Sequence, residues 1–457
     1  MTPRRSSSVL KTAAAALAIF AIATLLRLAV AAPALLENAP ERFVRPDTAG
    51  YLGPALTLAH EGYYPGTGRV PGFPAFAALF ASSASEETAQ FHTRALVVAL
   101  CVASGVAAAL VFLAGLCRSF GTGVMAGTLC SLNLTAVANA PMLLSDTLFG
   151  LVAAAQFLLF MHFRLKKRRR CFMLMTAVAA AGMLIRPINM LWIFPALALL
   201  LLDFSPGWTW RSKLVHAAAA TLLFGAIATP WMFRNAYLGA GFTPDTNTGA
   251  VCHQNGAMLL AEVNGTDFET EKAQLLAEQN ELFADTGRFP DEAARESWRL
   301  RRYRGLVLAH PLVWLRQSAS WRIFIPDAPT FWELCGFTRP NRGTMGVMAK
   351  YGFFAGVRHY FGGSWKLPVL TGLLILPALA LYLGALGRLV CDICDLRKRW
   401  YELLAFLAFA EYYLLLPGAI TAPRYQIPAL PILCVMAAAF LLPERSATNR
   451  TAEEKTE

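Results

Sequence analysis

Charged side chains are scarce in this chain. Of 457 residues only 15% are charged and 56% are hydrophobic, with a mean hydropathy of +0.46. A water-soluble domain typically carries about 25% charged residues, so the composition implies an integral membrane protein. No nucleic-acid-binding motif is visible, and the net charge of +12 reads as Lys and Arg marking cytoplasmic loops. The seven His show no H-x-x-x-H spacing, so a dedicated zinc site lacks its ligands. Asp and Glu ligands for a divalent cation stay open. The nine Cys are scattered, mostly in apolar runs, where a thiol behaves as a small hydrophobe. The "CDIC" spacing from Cys391 to Cys394 has no second Cys or His pair nearby and reads as the end of a span. Cys252 and Cys335 would pair only if their segment faces an oxidising compartment.

Long apolar runs are abundant. A crossing helix needs about 20 apolar residues. "TAAAALAIFAIATLLRLAVAAPALL" (12–36) qualifies and follows Arg4, Arg5 and Lys11. "AVA" at 29–31 resembles a signal-peptide cleavage site, but the stretch is too long for the usual apolar region, which favours an uncleaved anchor. Further candidate spans are 93–117, 122–140, 146–163, 171–185, 188–202, 213–233, 367–390, 401–417 and 425–442. With about ten spans and both termini cytoplasmic, the clusters "RLKKRRR" (164–170), "RSK" (211–213) and "LRKR" (396–399) all fall on the cytoplasmic side, as the positive-inside rule requires.

This topology divides the chain into an N-terminal transmembrane module, 1–236, whose first outer loop is 37–91, and an extracytoplasmic domain, 237–366. C-terminal spans at 367–442 and a cytoplasmic tail at 443–457 follow. The outer domain carries amphipathic runs such as "ETEKAQLLAEQNELFADTG", with Asn264 and Thr266 as candidate caps and Gly287 as a stop. The expected location is the inner (plasma) membrane.

The first outer loop places polar chemistry at a membrane surface. Its sequence "RPDTAGYLGPALTLAHEGYYPGTGRVPGFPAF" reads as two interfacial helices around a Gly/Pro hinge. Arg45 and Asp47 precede the first helix, Tyr51 lies on its apolar face, and Arg69 sits in the hinge. Asp47 has a structural reading as a helix N-cap. A carboxylate and a guanidinium beside lipid headgroups also suit a lipid-phosphate substrate: Arg binds phosphate oxygens bidentately, and a carboxylate can take a proton from an attacking hydroxyl.

Several stretches together resemble the polytopic GT-C glycosyltransferases, in particular the protein O-mannosyltransferase and aminoarabinose lipid A transferase group. They are "YLGPALTLAHEGYYP" and "GRVPGFPAF" in the first loop, "APMLLSDTLFGLVAAAQFLLF" (140–160), "AAGMLIRPINMLWIFPAL" (180–197), "ATPWMFRNAYLGAGFTPDTNTGA" (228–250) and "TAPRYQIPALPILC" (421–434). Each is loose alone; their order and sidedness are more specific. The resemblance implies an all-α GT-C fold that moves a sugar from a polyprenyl-phosphate donor to a glycan, lipid or protein hydroxyl, with inversion. It implies Asp47 as catalytic carboxylate, Arg69 as donor-phosphate ligand and Asp146 as a second acid. Tyr51, Arg45, Arg186, Arg234 and Arg424 are weaker substrate-binding candidates. Some relatives carry two adjacent acids in this loop, whereas Thr48 follows Asp47 here. The competing reading is a multi-span transporter or flippase; against it, no repeated hydropathy halves are found, and Arg27 is the main ionisable residue within a span.

Overall fold

The structure, a computed structural model, describes residues 3–82, 91–204, 207–338, 344, 347 and 351–443. Residues 83–90 of the first loop and 444–457 of the expected tail lie outside these. The described residues form helices and their connections, with one isolated β-bridge between Ala81 and Phe91.

The first long apolar run becomes α1 (Pro3–Leu36). A 3-10 turn (Pro40–Phe43) leads into α2 (Ala49–Glu61) and α3 (Gly72–Ala78), the two short helices expected in the first loop. α2 stops at Gly62, whose φ of +73° is the left-handed C-terminal conformation that glycine adopts without strain. Then come α4 (Thr93–Leu116), α5 (Phe120–Leu132) and α6 (Leu134–Asn139). The span expected at 122–140 is thus two helices. Asn133 breaks it, and its side chain restarts the helix by accepting from the Ala136 N–H at 2.9 Å.

α7 (Asp146–Leu165) and α8 (Arg169–Met183) are followed by a 3-10 stretch (Pro187–Trp192), α9 (Ile193–Leu201) and α10 (Trp210–Tyr237). The next segment folds into α11 (Asn247–Asn264), α12 (Phe268–Phe283), α13 (Glu292–Ala309), α14 (Pro311–Ser318), α15 (Ala328–Leu334) and α16 (Phe353–Tyr360). The cap of α12 differs from the sequence expectation. Asp267 accepts from Thr270 N–H at 3.0 Å, while Asn264 and Thr266 both donate to Glu271. Being first in register with the N2/N3 donors, Asp267 takes the capping position. Cys252 and Cys335 are both free.

The chain ends in α17 (Lys366–Leu374), α18 (Leu376–Cys394), α19 (Leu396–Phe406), a π turn (Leu407–Glu411), α20 (Tyr412–Leu415), a 3-10 turn (Pro423–Ala429) and α21 (Leu430–Leu441). Among the described residues six helical stretches are long and apolar enough to cross a membrane: Val9–Leu36, Thr93–Leu116, Asp146–Leu165, Trp210–Tyr237, Lys366–Cys394 and Pro423–Leu441. Phe120–Leu132 and Pro187–Leu201 are apolar but shorter. The protein is a multi-pass, all-helical membrane protein.

Contacts tie the helix ends into two layers. At the basic end, Arg164 pairs with Asp203 at 3.4 Å, Lys213 donates to the Leu201 carbonyl at 2.9 Å, and Arg388 and Arg399 flank the buried Asp392. The opposite, loop end carries α2, α3 and the helices α11 to α16. Between the layers lies an aromatic core in which Phe409 meets Phe157, Phe160 and Trp192 at centroid separations of 5.1 to 5.3 Å.

Arg27 is fully buried in α1, and the α5–α6 break accounts for it. Ending α5 at Leu132 leaves carbonyls without helical donors. The Arg27 guanidinium donates to the carbonyls of Ser131 (3.2 Å) and Cys130 (3.4 Å), and its Nε donates to Ser104 Oγ (2.6 Å). A cation at a helix C-terminus also meets the negative end of the helix dipole. Arg27→Leu is expected to destabilise the fold by roughly 1–3 kcal/mol per stranded acceptor, read as a lower melting temperature in detergent. An unchanged melting temperature would separate Arg27 from the helix break.

Candidate functional site

The site forms where α2, the hinge, α7, the α8–α9 link and the 423–429 turn meet at the loop end. Asp47 sits in the turn at 46–48 just before α2. Its carboxylate does not cap the helix: the N-cap is Thr48, with no side-chain cap bond. Instead Asp47 Oδ1 accepts from Arg69 Nη2 at 3.0 Å and Oδ2 accepts from Arg424 Nη2 at 3.0 Å. Asp47 and Arg424 lie 377 residues apart in sequence.

Asp146, the first residue of α7, continues the network. Its Oδ1 accepts from Arg186 Nη1 at 2.8 Å, and its Oδ2 lies 3.9 Å from Arg424 Nε. Its side chain is only 4% exposed, against 45% for Asp47. The chain of charges runs Arg69–Asp47–Arg424–Asp146–Arg186, three cations and two anions, with its open side at Asp47. Both carboxylates are engaged by guanidinium groups. Among the described residues there is no group of three or more His, Cys, Asp or Glu suited to a metal.

Aromatic rings hold the guanidiniums in place. Arg69 lies 4.7 Å over the Tyr51 ring and donates to the Tyr51 hydroxyl at 3.4 Å. That hydroxyl is 3.1 Å from Ser145 Oγ. Arg186 and Arg424 each lie 5.6 Å from the Tyr425 ring. Such cation–π contacts add modestly to each placement.

The backbone carrying Arg69 is fixed on several sides. Gly72 donates to the Leu184 carbonyl at 2.6 Å, and a Cβ at Gly72 would come within 2.6 Å of that same oxygen. Only glycine permits this approach, which brings the Arg69 hinge against the end of α8 just ahead of Arg186. Gly72→Ala is expected to lower activity at least tenfold and to lower the melting temperature, because the clash is with backbone. Wild-type activity in that variant would show that hinge placement is unimportant. Tyr64 donates to the carbonyls of Arg69 and Val70 at 3.1 and 3.3 Å, and Thr246 N–H donates to the Thr67 carbonyl at 3.0 Å. Burial raises the Tyr64 hydroxyl above its ordinary pKa, which keeps it a donor.

Two further arginines named from the sequence lie outside the charge chain. Arg234 donates to the carbonyls of Tyr64 and Gly66 and stacks 4.5 Å over Trp231, so it clamps the hinge. Arg45 donates to Glu333 at 3.1 Å and Thr330 at 3.2 Å, tying the first loop to α15. Two residues were not singled out from sequence. Ser145 is wholly buried beside Asp146; its only signal is that adjacency. Asp245 is buried, accepts from Thr248 N–H and Oγ, and has its carboxyl pushed up by burial, an effect that Arg69 opposes. Its signal is the "PDTNT" pattern, an Asp three residues ahead of a helical N–H.

Behind Asp245, Glu296 on α13 accepts from Gly249 N–H at 2.6 Å. Burial raises its pKa to about 7, against the opposing Gly249 hydrogen bond and Arg299. An acid raised on folding favours the folded state fully below its unfolded pKa of about 4.3; that contribution fades as pH rises to the folded value. Stability is thus expected to fall between about pH 4.3 and pH 7, and Glu296→Gln to flatten that slope in melting curves taken across pH. An identical slope in the variant would remove Glu296 as its source.

Comparison with solved structures finds a likeness to an oligosaccharyltransferase from Archaeoglobus fulgidus, crystallised with a tethered acceptor peptide containing the NVT sequon. The TM-score is 0.48 at 12% identity, covering 93% of this chain and 49% of that one. The present chain thus spans about half the length of that protein. No protein-family model matches the sequence, and no curated protein matches it.

Proposed function

We propose that the protein is a GT-C-type membrane glycosyltransferase that moves a sugar from a polyprenyl-phosphate donor to a hydroxyl acceptor at the loop end, taken as the outer face. The observation that carries this reading is the sharing of Asp47 between Arg69 and Arg424 at 3.0 Å each. Two convergent guanidiniums beside a half-exposed carboxylate suit a reaction in which a phosphate leaves and a hydroxyl attacks.

The chemistry follows from those groups. A lipid phosphate is already a competent leaving group, so what it needs is neutralisation of charge as the glycosidic C–O bond breaks. Arg69 and Arg424 would supply that. Asp47 would accept the proton of the acceptor hydroxyl as its oxygen bonds to the anomeric carbon. Direct displacement inverts that carbon, as in inverting glycosidases with an alcohol in place of water. Asp146 would hold Arg186 and Arg424 in position. Arg45 and Arg234, spent on Glu333 and on the hinge carbonyls, are assigned positioning roles.

The transporter reading loses support because buried ionisable groups gather in layers at the two ends, and Arg27 between them is engaged by Ser104 and the α5 carbonyls. The test is a transfer assay. Membranes containing the chain, supplied with a panel of labelled polyprenyl-phosphate sugars, should move label from the lipid pool into product and release polyprenyl phosphate. Arg69→Gln should abolish this. Label that crosses the membrane unchanged on its carrier would favour the transporter.

A further inference from the structure

Asp47 is the most exposed member of the charge chain and the least anchored. Its side chain is 45% exposed, against 21% for Arg69 and 19% for Arg424. Among the described residues its carboxylate bonds only to those two guanidiniums. The arginines have other holds. Arg69 stacks on Tyr51 and donates to its hydroxyl, and Arg424 lies by Asp146 and Tyr425. Removing Asp47 therefore leaves the two cations still aimed at one point. Arg424 Nε faces Asp146 Oδ2 at 3.9 Å, which keeps Nη2 turned towards that point.

A carboxylate presents two oxygens on one atom to this fork, and a phosphoryl group presents the same pair with another oxygen beside it. Both cannot occupy the fork at once. With both oxygens bonded to guanidiniums, the carboxylate is also occupied, and an acceptor hydroxyl reaches it only once one of those bonds is released.

We infer that Asp47 is an intramolecular stand-in for the donor's phosphoryl group: the free enzyme holds its base masked between Arg69 and Arg424, and arrival of the lipid phosphate displaces and frees it. This rests on the phosphate-donor reading above and adds an order of events to it. The base becomes competent only when the leaving group is in place, which protects the site from proton transfer without a donor. No covalent step is added; one anion replaces another in the same fork.

The consequence is opposite signs for binding and turnover at one residue. In full-length protein in lipid nanodiscs, a radiolabelled polyprenyl monophosphate is titrated against the wild type, Asp47→Asn, Asp47→Glu, Arg69→Gln and Arg424→Gln. Asp47→Asn should bind the probe roughly fivefold more tightly, since the ligand no longer displaces two half-exposed ion pairs. Asp47→Glu, which restores a competing carboxylate, should return towards the wild type. Both arginine variants should bind more weakly. Weakened binding in the arginine variants with unchanged or weaker binding in Asp47→Asn overturns the masking and leaves the phosphate site standing. Unchanged binding in the arginine variants overturns both.

Discussion

Purified Asp47→Asn should transfer sugar roughly 10²–10⁴-fold more slowly than the parent, the usual contribution of a positioned general base. The substitution is nearly isosteric and keeps an acceptor oxygen for one arginine. The lost ion pairs are part-exposed, and such pairs typically contribute less than about 1 kcal/mol each, so folding and membrane insertion should be unaffected. The loss should appear in kcat. The donor's KM should not rise, because Arg69 and Arg424 remain and their competitor is gone. Near-normal turnover in Asp47→Asn would remove Asp47 from the chemistry. A matched fall in melting temperature would instead make it a structural residue.

Asp146→Ala should have the largest effect on stability. Its carboxylate is 4% exposed and stands between Arg186 at 2.8 Å and Arg424 at 3.9 Å. Arginine cannot shed its proton, so removing this anion strands Arg186 and leaves Arg424 held by Asp47 alone. Breaking a buried pair by deleting one partner typically costs about 3–5 kcal/mol. The variant should melt well below the parent in detergent and lose activity even where it remains folded, as Arg424 drifts from its fork. Asp146→Asn should be milder, because the amide oxygen can still accept from Arg186. An Asp146→Ala protein as stable as its parent would mean that Arg186 and Arg424 find other partners, and the clamp role would fall.

The sequence made the helices legible where apolar runs were long. Val9–Leu36 and Thr93–Leu116 follow directly from composition. Where helices are short or interrupted the pattern was ambiguous. Asn133 sits inside an apolar stretch that hydropathy averages into one span, yet its side chain restarts the helix. α8 and α19 open on basic turns, which lowers their mean hydropathy.

The candidate residues Asp47, Arg69, Asp146, Arg186 and Arg424 could be picked out because each stands at a span boundary or in the first loop, where a greasy chain has little reason to place charge. Which of them meet was not legible. Arg45 and Arg234 occupy equivalent positions, but their partners are Glu333 and the hinge carbonyls, a difference set by packing over separations of 288 and 168 residues. Ser145 and Asp245 carry ordinary residue types in ordinary contexts, and only folding brings them beside Tyr51 and the Arg69 hinge.

The most direct measurement of the central claim is mass spectrometry of lipids and glycans from cells lacking the protein, complemented with either the wild type or Asp47→Asn at equal membrane abundance. The account predicts that one envelope lipid or glycan loses a single sugar unit in the deletion, regains it with the wild type, and stays without it in Asp47→Asn. Profiles identical across all of these cells, or full restoration by Asp47→Asn, would contradict it.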